Sequence, residues 1–206
     1  MDTNDLLERC YPGRRAESKR LILRCAIALF NKHGIEATTI DTIRAKSQTS
    51  VGSIYHHFGN KEGVIAALYM AALSDQAQLR DSYLDGVEST KQWVQALVLS
   101  YVDWVANQPD WARFQYQARY AVTQSAFADQ LKEANRLRKA QLKEWFSNPE
   151  HREALRELPL ELIPSLIIGS AESYCRAWLS GRVLQSPEHY RQQLADAAWL
   201  AVGRER

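Results

Sequence analysis

Apolar positions recur three and four residues apart along most of this chain, the period of a helix buried on one side. From about Ala16 to His33, Leu23, Ala26, Ile27 and Phe30 form one stripe, Lys19, Arg20 and Arg24 stand largely off it, and Gly34 is placed to end it. Ile40 and Ile43 open a short second helix that Thr39 can cap; Val51, Ile54 and Phe58 belong to a third that Ser50 can cap. Asn60 can cap a long helix from Lys61 to about Leu84, with Val64, Ile65, Leu68, Ala72 and Leu73 on its period. After Gly86, Ser89-Thr90-Lys91-Gln92 reads as a capping box that opens a helix to about Asn107. Pro109-Asp110 punctuates, and a short helix from Trp111 to about Tyr120 follows. Next comes a helix from about Ser125 to Phe146, one face of which is charged through Lys132, Glu133, Arg136, Arg138, Lys139, Lys143 and Glu144. Asn148-Pro149 breaks it, and residues 150–158 read as a short helix or loop. Pro159 and Pro164 bracket the start of an apolar helix to Leu179, closed by Gly181, and Ser186-Pro187-Glu188 starts a last helix to about Val202. No strand-like alternation, repeat or low-complexity tract interrupts the series. The pattern predicts an all-α fold.

Composition changes that picture little. The 206 residues are 46% hydrophobic and 24% charged, ordinary for a globular protein. No apolar run approaches the ~18 residues of a spanning helix, and the first residues lack a signal-peptide pattern, so a cytoplasmic location is expected. Cys10, Cys25 and Cys175 are odd in number and far apart, which points to neither a disulfide framework nor a metal knuckle. Charge is more informative once located. The net charge is +2, yet Arg9 to Lys61 holds ten basic residues against Glu17, Glu36 and Asp41, a local balance of +7 over a net-acidic remainder. That concentration is an electrostatic footprint for nucleic acid.

The same segment contains the most specific motif in the chain, the two short helices 39–58. The outward face of the second presents Gly52, Ser53, Tyr55, His56 and His57: small residues, hydroxyls and imidazoles, and no acid. A helix-turn-helix with such a face can approach a polyanion. Thr38-Thr39-Ile40, then Ser50 to Phe58 with Gly52-Ser53-Ile54-Tyr55 inside it, then Asn60-Lys61-Glu62, resembles the DNA-binding signature of the TetR family of bacterial repressors. The resemblance covers roughly the first third of the chain. It implies a three-helix DNA-binding head on a larger helical body that binds a ligand and dimerises. The chain departs from the family pattern at Gln48-Thr49, where Gly-Val is usual in the turn, and at Arg44, where alanine is usual.

Taken together, these observations set the expected organisation. Residues 1–13, ending in Pro12-Gly13, are a mobile leader; residues 14–60 are the helix-turn-helix domain; residues 61–206, beginning with the connecting helix, are the ligand-binding and dimerisation domain. Thr39, Tyr55, His57 and Lys61 are expected at phosphates, Tyr55 through the resemblance, and Val51, Gly52, Ser53 and His56 at base edges beside the capping Ser50. Arg14 and Arg15 stand where an arm would touch phosphate or the minor groove.

Trp93, Tyr101, Trp104, Phe114 and Tyr116 are candidates for a ligand pocket, against the alternative that aromatics at helical spacing are core. Ile167, Ala171, Tyr174, Trp178 and Trp199 are candidates for a dimer interface, since the resemblance implies a four-helix bundle made by two helices and their mates. The expected partners are therefore a palindrome-like duplex operator, a second copy of the chain and a small-molecule effector, with no membrane. No cofactor is expected. His56 and His57 diverge by about 100° on a helix and cannot share one metal ion. His33, His151 and His189 lie in polar or cap-like settings with no nucleophile elbow, phosphate loop or metal triplet, so no enzymatic role is expected. The reading is a DNA-binding transcriptional repressor released by a ligand; the alternative is a helical interaction module that has lost specific DNA binding.

Overall fold

Several helices start where a side chain accepts an exposed backbone N–H, at Thr39, Ser50, Asn60, Ser89 and Asn148. The computed structural model describes residues 3–204; the side chains of residues 3–5, 138, 139, 141 and 142 lie outside the description, so Arg138 and Lys139 of the charged helix are not placed. Eleven α-helices are described: α1 Thr3–Cys10, α2 Glu17–His33, α3 Ile40–Ser47, α4 Val51–Phe58, α5 Lys61–Leu84, α6 Thr90–Asn107, α7 Pro109–Thr123, α8 Ala128–Trp145, α9 Pro149–Glu153, α10 Ile163–Leu179 and α11 Arg191–Val202, with 3-10 turns at Arg14–Ala16 and Pro187–Tyr190. Among the described residues there is no strand beyond one isolated bridge, Leu155 to Gly203. The fold is all-α.

The chain divides into two compact units, residues 1–75 with 108–134, and residues 76–107 with 135–206. Expected from sequence were boundaries after Gly13 and after Asn60; the first compact unit comprises α1 to α4 with the start of α5, α7 and the start of α8.

In the first unit, Ile22, Leu23, Ala26, Ile27 and Phe30 of α2 are buried with Ile43 of α3, Ile54 and Phe58 of α4, and Val64, Ile65 and Leu68 of α5. The ring of Phe114 on α7 stacks on Phe30 with centroids 5.6 Å apart. The expected mobile leader is in fact α1. Leu6 and Leu7 are fully buried, and Arg9 donates Nε–H (2.9 Å) and Nη2–H (2.6 Å) to the buried Asp75 carboxylate. Two leucines and one arginine, three to six residues before Pro12, suffice to dock one helical turn after another; in sequence they look like a polar stretch.

In the second unit α6, α10 and α11 pack together around Trp104, Val105, Ile167, Ala171, Cys175, Ala195 and Ala198. Buried Asp103 accepts from Arg191 Nη1–H at 2.6 Å and from the Tyr83 hydroxyl, tying α6 to α11 and to the end of α5. Burial first, then the bond to Asp103, holds the Tyr83 phenol above its ordinary pKa. Pro109 sits at the first position of α7, so that helix starts two residues earlier than expected: proline lacks only an N–H that would have no partner there.

Candidate nucleic-acid interface

The starts of the two short helices are set by local side-chain caps. At the start of α3, the Thr39 oxygen accepts the Thr42 N–H (3.2 Å) while the Thr42 hydroxyl oxygen accepts the Thr39 N–H (3.0 Å), a reciprocal capping box. Ser50 Oγ accepts the Ser53 N–H at 3.0 Å and caps α4. Between them the chain turns through Gln48 in the left-handed conformation, φ 53° and ψ 29°, the single positive-φ residue other than glycine among those described. The left-handed conformation that glycine adopts without strain is here held by a glutamine. Arg44, the other departure, points outward and makes only a long 3.8 Å pair with Asp41, leaving the packing beneath α3 undisturbed.

Gln48 gives the first expected result. A side chain in the left-handed conformation costs roughly 1–2 kcal/mol that glycine escapes, and glycine's larger unfolded-state entropy returns roughly 0.5–1 kcal/mol of that. Gln48→Gly should raise the melting temperature slightly with DNA affinity held or increased. A lower melt with weaker binding would mean that the Gln48 side chain makes a needed contact.

At its far end α4 stops at Gly59 (φ 75°), and α5 begins almost at once. Asn60 Oδ1 accepts the Gly63 N–H at 2.8 Å. Lys61 Nζ donates to the carbonyls of Ile35 (2.8 Å) and Glu36 (3.3 Å), clamping the α2–α3 loop to the start of α5. Two of the three ammonium N–H groups are thereby used, and one is left for a phosphate. Lys61→Ala should lower stability by roughly 1–2 kcal/mol and reduce the log–log salt slope of DNA binding by roughly 0.9. A lowered melt with an unchanged slope would make Lys61 a brace alone.

The residues expected against DNA mostly share one exposed face. Thr39, Ser50, Val51, Gly52, Tyr55 and His56 are exposed, His57, Ser53 and Lys61 half-buried. Ser53 differs from expectation in its contact: its Oγ lies 3.2 Å from Ser18 Oγ of α2, so it brings α2 and α4 together as well as facing outward. The rings of His56 and His57 meet edge-on with centroids 5.3 Å apart. Burial, then His56, then Lys19 hold the His57 imidazole below its ordinary pKa, so at neutral pH it offers a hydrogen bond and not a full charge. Lys19, itself lowered by burial, lies 4.1 Å from the Tyr11 ring centroid and 5.8 Å from that of Phe58. Ser18 and Lys19 carry no signal of this in sequence, because their partners are separated from them by a fold and not by a period.

The profile described as bacterial regulatory proteins of the tetR family matches residues 22–68, from within α2 to within α5, and so encloses the whole of α3, the turn and α4. Over that segment the chain is similar to the tetR family. The HTH-type transcriptional repressor KstR2 of Rhodococcus jostii is 29% identical over 116 residues, 56% of this chain and 55% of that protein. The repressor AcnR of Corynebacterium glutamicum is 36% identical over 64 residues, 31% of this chain and 32% of that one. The chain thus spans about half, or less, of the length of these curated relatives. A TetR family transcription regulator from Marinobacter aquaeolei superposes with a TM-score of 0.75 over 93% of this chain and 98% of its own, at 18% identity. The ketosteroid transcriptional regulator KstR2 of Mycobacterium tuberculosis does so with 0.69 over 94% and 97%, at 22% identity. Likeness at such identity establishes the shared fold.

The other candidate residues are distributed unevenly between the two units. Phe114 and Tyr116 belong to the first unit, Phe114 buried against Phe30. Trp93, Tyr101 and Trp104 belong to the second, where Trp93 stacks on Trp145 at 5.5 Å and meets Phe146 edge-on at 5.3 Å. Trp93 and Trp104 are core side chains of their own unit.

Two of the interface candidates need correction. Ile167 and Ala171 are 1% and 0% exposed within the chain itself, because the apolar stripe of α10 turns toward α6 and α11 and has no surface left for a partner. Tyr174 donates its hydroxyl to the Gln185 carbonyl (3.1 Å), and the Trp199 ring lies so close over Gly203 that a Cβ there would sit 2.4 Å from it. Trp178 is half-buried. The outward face of α10 includes Ser165, Gly169, Ser170, Ser173 and Arg176, and that of α11 includes Gln193, Ala197 and Leu200.

Proposed function

We propose that this chain is a sequence-specific DNA-binding transcriptional repressor that acts as a cytoplasmic homodimer and is released from its operator by a small molecule. The observation that carries the reading is the capped α3–turn–α4 unit with an exposed, acid-free outer face on α4, in the most basic segment of the chain. On a duplex, α4 enters the major groove. Val51, Gly52 and His56 meet base edges, with Ser53 sharing its hydroxyl between Ser18 and the groove. Thr39, Tyr55, His57 and the remaining Lys61 N–H fix register at phosphates.

One head reads too few base pairs to be selective, so two identical heads on a palindrome-like site, about 34–36 Å apart, are required. The heads belong to residues 14–60 and the effector and dimer functions to residues 61–206, with the second copy seated on the outward faces of α10 and α11. An effector weakens operator binding by the ratio of its affinities for the two arrangements of the dimer. What the relatives' names report, transcriptional repression for KstR2 and AcnR, agrees with the proposal.

A gel shift with the duplex immediately upstream of the chain's own gene tests it. A saturable shift, lost to an excess of the same duplex but not to random DNA, is expected. Equal competition by random DNA would leave a basic helical module without sequence preference.

A further inference from the structure

We infer that Arg14 and Arg15 form, together with α4, one continuous surface for the phosphates of the same duplex, held in place by α1 and Arg20. The inference rests on the reading that α4 binds duplex DNA, and adds residues outside the helix-turn-helix.

Position comes first. Ser18 of α2 touches Ser53 of α4 (3.2 Å between hydroxyl oxygens), so the first turn of α2 abuts the N-terminal half of the helix that enters the groove. Arg14 and Arg15 form the 3-10 turn one turn earlier, both exposed. What lies directly beside a helix seated in the major groove meets the groove wall, which is the phosphate backbone. Neither guanidinium has a carboxylate partner among the described residues, and the planar fork of arginine suits phosphate oxygens. Glu17 is the one acid in the adjoining turn, and it too is exposed.

Rigidity is the second argument. A mobile arm would lose conformational entropy on reaching DNA; this segment has already lost it in folding. Gly13 turns the chain at φ 84°, and Arg20 Nη1 holds the turn by donating to the carbonyls of Tyr11 (2.7 Å) and Gly13 (2.8 Å). Upstream, α1 is fastened by buried Leu6 and Leu7 and by Arg9 on Asp75, and the Tyr11 hydroxyl reaches the Ala67 carbonyl at 3.3 Å. Arg20 is thus a positioning residue whose guanidinium is occupied by backbone, while Arg14 and Arg15 are the groups left to touch DNA.

The experiment uses the full chain and a duplex enriched by the wild type from a randomised library, titrated by fluorescence anisotropy between 50 and 200 mM salt. Arg14→Ala/Arg15→Ala should melt as the wild type does and keep its base preference. Its log–log salt slope should fall by about 1.8 per head, so that over this fourfold change of salt it loses about twelvefold less affinity per head, or roughly 150-fold less for a two-headed dimer, than the wild type. Arg20→Ala should weaken binding in the wild-type background and have no further effect in the double variant, a coupling that general destabilisation does not produce. An unchanged slope in the double variant overturns the inference, as does altered base preference, which would put the arginines in a groove. Additive loss on Arg20→Ala removes its positioning role. If the wild type enriches no sequence at all, the DNA reading itself fails; enrichment with an unchanged slope refutes this inference alone.

Discussion

Gly63→Ala is expected to cost the first unit at least about 3 kcal/mol and to abolish operator binding, the largest effect of any single methyl group in the interface. A Cβ at Gly63 would stand 1.8 Å from the Phe58 carbonyl oxygen and 2.9 Å from its carbonyl carbon. Both are backbone atoms at the end of α4, so no rotamer change relieves the clash. The start of α5 has to move away from the end of α4, and with it go the Asn60 cap at 2.8 Å and the Lys61 clamp on Ile35 and Glu36. Since α4 owes its angle to those attachments, the outer face that carries Val51, Tyr55 and His56 is displaced as a body. A fall in melting temperature of roughly 6–12 °C is the corresponding readout. A variant that melts within a degree or two of the wild type and binds DNA normally would show that this junction yields cheaply and does not set the angle of α4.

The second large effect separates core from interface in the other unit. Ile167→Glu should unfold that unit, with a loss of about 4–5 kcal/mol or more, because a carboxylate would replace a side chain 1% exposed with no partner to take its charge. Leu200→Glu should behave differently. Leu200 is 57% exposed on the outward face of α11, so the chain should fold and melt nearly as before while sedimenting as a monomer and losing specific DNA binding. Circular dichroism and sedimentation velocity on the two variants decide the matter. A folded, dimeric Leu200→Glu protein would remove the outward faces of α10 and α11 from the proposed interface, and a folded Ile167→Glu monomer would mean that Ile167 reaches a partner after all.

These two residues also show why an apolar period alone does not distinguish an interface from a core. The stripe Ile167, Ala171, Cys175 is what a dimer seam and a buried core stripe have in common: both are apolar at helical spacing. Only the neighbours distinguish them, and the neighbours are α6 and α11 of the same chain. The polar, small-residue face Ser165, Gly169, Ser173 gives no hydrophobic signal and is the one left outside.

By itself the sequence determined the things that depend on near neighbours. Helix starts at Thr39, Ser50, Asn60 and Ser89, the stop at Gly34, and the acid-free face of α4 all follow from residues within four positions of the backbone groups concerned. The left-handed strain at Gln48 was legible for the same reason, because a tight turn between two short helices demands that conformation whatever residue occupies it. Only the tertiary structure decided what depends on distant partners. Arg9 meets Asp75 across 66 residues, Arg191 meets Asp103 across 88, Lys61 folds back on Ile35, and Ser18 finds Ser53. In one dimension each is an unpaired polar side chain on a helix, indistinguishable from a solvated one. Burial of the leucines beside them brings these groups together, and that burial is a property of the packed chain, since the free energy it releases depends on area removed from water and on no local pattern.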